Sequence, residues 1–316
     1  MDVRALGASG LETPRLVLGG NVFGWTATGD EAFAILDRFA AAGGVMIDTA
    51  DVYSAWVPGH KGGESETLIG QWLKRRGRRD DVLIATKVGM LPGEGGAGLA
   101  PARIAAAAEA SLARLGTHID LYYAHQDDSE TPLADSLAAF DALVKAGKVR
   151  AIGASNYSAD RLAEALAISA RDGLARYEVL QPEYNLMVRD KFEGARQQLC
   201  IDEKIGVLPY FGLASGFLTG KYRTEADRAQ SVRGGRMDAY LNERGLRVLA
   251  ALDEVAAEAG ATPAQVALAW LAAQPGVTAP IASATKVAQL EELLGVLTLE
   301  LGEDQVERLT AAGIDR

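Results

Sequence analysis

Short runs rich in β-branched and aromatic residues alternate along this chain with longer segments whose apolar positions repeat at helical spacing. The runs cover residues 15–19, 45–48, 82–87, 119–125, 149–154, 177–181, 206–210 and 278–281. Each is bounded by Gly, Pro or polar residues, as strands buried on both faces are. The intervening pattern predicts amphipathic helices at 31–42, 101–115, 133–146, 159–171, 239–260, 263–274 and 287–295. Asp30 and Ser158 are candidate N-caps, and Pro101 and Pro132 stand where a missing N–H does no harm. Ahead of the first run, Leu6 and the glycine turn at 7–10 predict a small β-hairpin.

Strands alternating with helices imply parallel pairing through crossover connections, which a closed barrel and an open doubly wound sheet both satisfy. No low-complexity linker interrupts the rhythm, so the expectation is one domain over residues 1–316.

The polar residues gather at the ends of the apolar runs. Asn21 follows the first, Asp48 and Tyr53 the second, Lys87 the third, and His125 the fourth. Ser155 and Asn156 follow the fifth, Gln181 and Tyr210 end the next two, and Ser283 and Thr285 follow the last. In a barrel these ends converge on one mouth, where active sites lie. Helix caps explain some of the Ser, Thr and Asn. They do not explain a lysine ending VLIATK or a histidine after DLYYA.

An ammonium ion in a barrel mouth needs a counter-ion, and Asp48 is the candidate. An Asp–Lys pair could serve only to hold two strands together, but Tyr53 adds chemistry. A phenol titrates near pH 10 and a neighbouring ammonium lowers that value, so Tyr–Lys–Asp is a proton-donating device for an oxygen gaining charge. His125 is placed to orient the same oxygen. His60 and His118 lie in predicted loops, and without an H-x-H pair a metal-dependent hydrolase is not indicated.

Composition narrows the classes. A net charge of −10 without a basic arm argues against a nucleic-acid partner. No segment has the length or apolarity of a membrane span or a signal core, so a cytoplasmic protein is expected. Cys200, the single cysteine, reads as a small buried apolar residue. Gly93, Gly95 and Gly98 match G-x-G-x-x-G, but they neither end a strand nor open a helix, so they read as a loop.

The blocks IDTADVYS (47–54), GESETLIGQWL (63–73), IATKVG (84–89), IDLYYAHQDD (119–128), VRAIGASNYS (149–158), LQPEYNL (180–186), GFLTGKY (216–222) and ATKVAQLEELL (284–294) together resemble the aldo-keto reductase family. The resemblance implies a (β/α)8 TIM barrel with an N-terminal hairpin and extra helices near the C-terminus. It implies an oxidoreductase that reduces an aldehyde or ketone, with Tyr53 as general acid, Lys87 and Asp48 tuning it and His125 orienting the carbonyl. Ser155, Asn156 and Gln181 would meet the nicotinamide carboxamide and Tyr210 would stack on its ring. Gly20, Asn21, Leu213, Gly216, Lys221, Arg233 and Ser283 would line the cofactor, and Thr285, Lys286, Gln289 and Glu292 would meet its adenosine end. The sequence departs from the family's Y-S-P-L-A-G-G and P-G-A patterns at 210–216 and 282–284.

Five basic residues in 221–236 (Lys221, Arg223, Arg228, Arg233 and Arg236) suggest a loop folding over the pyrophosphate, and Lys286 at a helix start suits a 2′-phosphate. NADPH is therefore the expected cofactor. Phe23, Trp25, Trp56 and Met90 are expected to wall an apolar substrate pocket. The alternative is a cofactor-sensing regulatory subunit of the same fold, like the β-subunits of voltage-gated potassium channels.

Overall fold

Each of the eight predicted runs contributes a strand to one parallel sheet. A computed structural model describes residues 2–230 and 234–314. A hairpin of β1 (Val3–Ala5) and β2 (Glu12–Pro14) precedes the sheet, as the turn at 7–10 predicts. The sheet strands are β3 (Val17–Gly19), β4 (Met46–Asp48), β5 (Leu83–Val88), β6 (Ile119–Ala124), β7 (Val149–Ser155), β8 (Tyr177–Gln181), β9 (Gly206–Val207) and β10 (Ile281–Ala282), in the order β10-β3-β4-β5-β6-β7-β8-β9. The Thr278 N–H donates to the Val207 carbonyl (2.8 Å) and the Ile281 N–H to that of Pro209 (2.9 Å), joining the two ends. The fold is a (β/α)8 barrel, and the open doubly wound sheet is excluded.

Around it lie α1 (Gly29–Ala41), α2 (Glu64–Arg76), α3 (Pro101–Leu115), α4 (Leu133–Lys145), α5 (Ala159–Asp172), α6 (Ala195–Asp202), α7 (Glu243–Ala259), α8 (Pro263–Ala272), α9 (Val287–Leu294) and α10 (Glu303–Ala312). Ser158 caps α5 by accepting from the Arg161 N–H (3.2 Å). Asp30 is not a cap: Thr28 holds that position and Asp30 lies in the first turn of α1. The segment expected as one helix at 239–260 begins only at Glu243, because Asn242 accepts from the Gly245 N–H (2.9 Å) and starts the helix there. Three helices lie outside the predicted set: α2, although it buries Leu68, Ile69, Trp72 and Leu73, α6, which is short, and α10, which buries only Leu309. No helix among the described residues is long and apolar enough to cross a membrane.

Strand alternation divides the core into two layers. Met46, Ala85, Leu121, Tyr123, Ala151 and Val179 fill the barrel, whereas Ile47, Ile84, Tyr122 and Ile152 face the helices. Leu6 and Leu11 of the hairpin join the interior set. Gly153 has to lack a side chain, since a Cβ there would sit 2.6 Å from the Tyr123 ring. Asp48, Lys87, His125, Ser155 and Gln181 continue the inward parity of their strands at the C-terminal ends. Two-residue periodicity thus brings them to one mouth. Trp72 and Trp270 are wholly buried, and so is Phe23.

Candidate active site

The buried Lys87 ammonium lies at the centre of the mouth. It donates to Asp48 Oδ2 (2.6 Å), to the Thr49 carbonyl (2.8 Å) and to the Tyr53 hydroxyl (3.3 Å). Gln181 Nε2 donates to the other Asp48 oxygen (2.8 Å), so the carboxylate is held from both sides. Such a pair survives burial because each charge is partnered, and removing one partner costs about 3–5 kcal/mol. Burial alone would lower the Lys87 pKa, but Asp48 and Tyr53 outweigh it and raise it, so the amine stays charged.

Tyr53 keeps part of its surface open to the mouth and packs edge-on against His125, with ring centroids 6.0 Å apart. Its pKa is raised, contrary to the expectation from the ammonium alone. Burial of the hydroxyl is the largest cause and Asp48 adds to it, while Lys87 pulls the value down without reversing it. The phenol therefore holds its proton at neutral pH. His125 is pushed well below the usual imidazole range, first by burial and then by Lys87, so its ring is neutral. Its Nδ1 has no protein hydrogen-bond partner.

The ends of β7 to β9 supply a second set. Ser155 Oγ donates to the Gln181 carbonyl (2.9 Å) and Asn156 Nδ2 to that of His125 (3.0 Å). The Tyr210 hydroxyl donates to Asn156 Oδ1 (2.8 Å). Gly20 approaches the barrel so closely that a Cβ would meet the Asp48 carbonyl at 2.8 Å, and Asn21 accepts from Ser283 Oγ (2.7 Å).

After β9 the chain crosses Leu213 and Gly216 with Phe211, Ala214 and Ser215 all in left-handed backbone. Asn185, which the sequence reading missed, donates to the Phe211 carbonyl (3.0 Å) and accepts from the Met187 N–H (2.8 Å). Lys221 lies over the Tyr222 ring near Gly216. Arg223 does not reach toward the mouth as part of a basic strap, because both its terminal nitrogens are taken by Asp253 of α7 (2.6 and 2.8 Å). Arg233 lies outside the described residues, as do the side chains of Arg228 and Arg236.

At the start of α9, Lys286 is exposed, and Gln289 accepts from the Thr285 N–H (2.8 Å) and hydroxyl (3.0 Å). Glu292 is half-buried on the same helix. Glu31 of α1 brings its carboxylate onto the Val287 N–H (3.0 Å), an anion already at the helix N-terminus. Nothing local to either segment announces that contact.

Of the expected pocket residues, Trp25 and Trp56 pack edge-on (5.7 Å), Trp56 also meets Tyr53 (5.7 Å), and Met90 is exposed. Phe23 is a correction. It lies in the core layer beneath Gly20 with no exposed surface, so it has none to offer a ligand. The glycines at 93, 95 and 98 lie in a loop between β5 and α3, as read. Among the described residues no group of three or more His, Cys, Asp or Glu is arranged to hold a metal ion.

The model of the aldo/keto reductase family matches residues 15–314. The chain belongs to this family. It is 34% identical to the aldo-keto reductase str7 of Strobilurus tenacellus over 97% of this chain and 84% of that protein. It is also 34% identical to a probable voltage-gated potassium channel subunit beta of Arabidopsis thaliana, over 92% of this chain and 90% of the other. The aldo-keto reductase yakc [NADP(+)] of Schizosaccharomyces pombe is 31% identical over 88% and 81%. The cluster around Lys87 lies at the C-terminal ends of the strands, where barrels carry their chemistry.

Proposed function

We propose that this chain is a reductase that converts an aldehyde or ketone to an alcohol with NADPH. The observation that carries the reading is Lys87, buried and charged, joined at once to Asp48 and to the Tyr53 hydroxyl. A phenol that keeps its proton at neutral pH beside a fixed ammonium suits protonation of an oxygen as charge develops on it. Neutral His125 lies against Tyr53 and orients the substrate oxygen, and Asp48 keeps Lys87 in place.

The donor set suits a nicotinamide. The amides of Asn156 and Gln181 and the Ser155 hydroxyl match a carboxamide, and the half-exposed Tyr210 ring offers a flat face. Gly20, Asn21, Leu213, Gly216, Lys221 and Ser283 would hold the phosphates and ribose. Thr285, Lys286, Gln289 and Glu292 would hold the adenosine end. Bound NADPH supplies the hydride that reduces the carbonyl carbon. Trp25, Trp56 and Met90 would exclude water and favour substrates with an apolar part.

The test is Tyr53→Phe assayed by NADPH absorbance against a panel of aldehydes. Turnover should fall by about 10²-fold or more, while NADPH still quenches the protein's fluorescence with unchanged affinity. Most activity surviving would exclude Tyr53 as the acid. The relatives named as potassium channel subunits favour a second reading, a cofactor-binding regulatory subunit. Under that reading the wild type would bind NADPH tightly and turn over none of the panel.

A further inference from the structure

Behind the mouth, between α2, α3 and the sheet, lies a buried charged group that the proton chemistry above does not use. Arg103, in the first turn of α3, is only 6% exposed. Its Nη2 meets Asp51 Oδ2 (3.4 Å) and its Nη1 donates to the Glu94 carbonyl (3.1 Å). Asp51 lies between Asp48 and Tyr53 in the chain, and its N–H donates to the Lys87 carbonyl (3.2 Å). The loop at 89–100 rests directly on the guanidinium, for a Cβ at Gly93 would come within 2.7 Å of Nη1. The same loop carries exposed Met90, and Leu91 packs on Gly62, in the loop that also bears Trp56.

Glu66 of α2 is the other acid nearby, but it accepts from Thr86 Oγ1 (2.5 Å) and Arg114 Nε (2.6 Å). Arg103 is thus left to Asp51. Asp51 Oδ1, Arg103 Nε and the Tyr122 hydroxyl are buried with no protein hydrogen-bond partner, which an apolar core would not tolerate without a reason of its own.

We propose that Arg103 is a positioning residue: its planar fork ties the mouth loop at 89–100 to the segment bearing Tyr53 and so sets how a substrate is seated. A lysine would keep the charge but could not span both partners in this geometry. The seating of a carbonyl substrate rests on the reductase reading, whereas the tie between the two segments does not.

The experiment compares wild type, Arg103→Gln and Arg103→Lys by hydrogen exchange with mass spectrometry and by kinetics with 4-nitrobenzaldehyde and propanal. Arg103→Gln should speed exchange in peptides covering 49–57 and 89–100 together. It should raise KM for 4-nitrobenzaldehyde about tenfold and leave the NADPH Kd within about twofold, as misplacement of a substrate wall does. Arg103→Lys should recover only part of the KM. Faster exchange confined to α3, or an unchanged KM in a variant whose loops have loosened, would overturn the proposal. If Arg103→Gln does not fold, Arg103→Lys must show the same paired loosening in milder form or the proposal fails. A wild type inert to both aldehydes would remove the reductase reading alone, and the paired exchange would still decide the tie.

Discussion

Asp51 is wholly buried, and burial, with Glu66 as the next cause, raises its pKa from 3.8 to about 7 against the pull of Arg103 and Arg114. A gap of about three units corresponds to about 4 kcal/mol at roughly 1.4 kcal/mol per unit. The folded state binds this proton more tightly than the unfolded chain does. The group's contribution to stability is therefore complete below about pH 3.8 and is lost as the pH rises through about 7. Integrated between pH 5 and pH 8, the loss is about 2.5 kcal/mol. Asparagine has nearly the same shape, offers Arg103 a carbonyl and does not ionise. Urea unfolding of wild type and Asp51→Asn at pH 5, 6, 7 and 8 reports on the group, because titrating residues that do not interact with Asp51 cancel in the difference. The variant should gain about 2.5 kcal/mol on wild type between the two ends of that range. A difference that stays flat within about 0.5 kcal/mol would show that Arg103 keeps Asp51 ionised across the whole range.

Two further outcomes follow from the cofactor side of the mouth. Ser215 holds a φ of 58° where the family pattern has glycine, so Ser215→Gly should stabilise the protein by about 0.5–1 kcal/mol in a thermal melt; a lower Tm would mean that the left-handed backbone carries no strain. Glu31 puts its carboxylate on the Val287 N–H, where a 2′-phosphate would compete with it. Glu31→Gln should tighten NADPH binding about fivefold, with little change for NADH, in fluorescence titrations. An equal change for both cofactors would remove Glu31 from the choice between them.

The order of strands and helices was open to reading because each barrel strand is buried on both faces and the surrounding helices keep an apolar stripe. Both patterns are local, and the two-residue parity of the strands carries Asp48, Lys87 and His125 inward together. The signal weakened wherever an element buries little. The bounds of α10 and the true start of α7 therefore escaped, the first for want of an apolar face and the second because Asn242 caps three residues inside an unbroken helical pattern.

Lys87 beside Asp48 is legible in the sequence because an uncompensated ammonium cannot end a buried strand. The proton affinity of Tyr53 is not, since it is the difference between burial and a nearby charge, and only packing around the hydroxyl decides which is larger. Phe23 and Trp25 look alike in the sequence, but what lies opposite each buries Phe23 completely and leaves Trp25 part of its surface. Asp51 and Arg103 are 52 residues apart and Glu31 and Val287 are 256 apart. Pairings over such distances leave no periodic trace in one chain. The sequence by itself determined the alternation of strands and helices and which polar residues end the strands. Tertiary structure closed the sheet into a barrel and decided which of those residues are charged, which are tied to one another, and which are simply core.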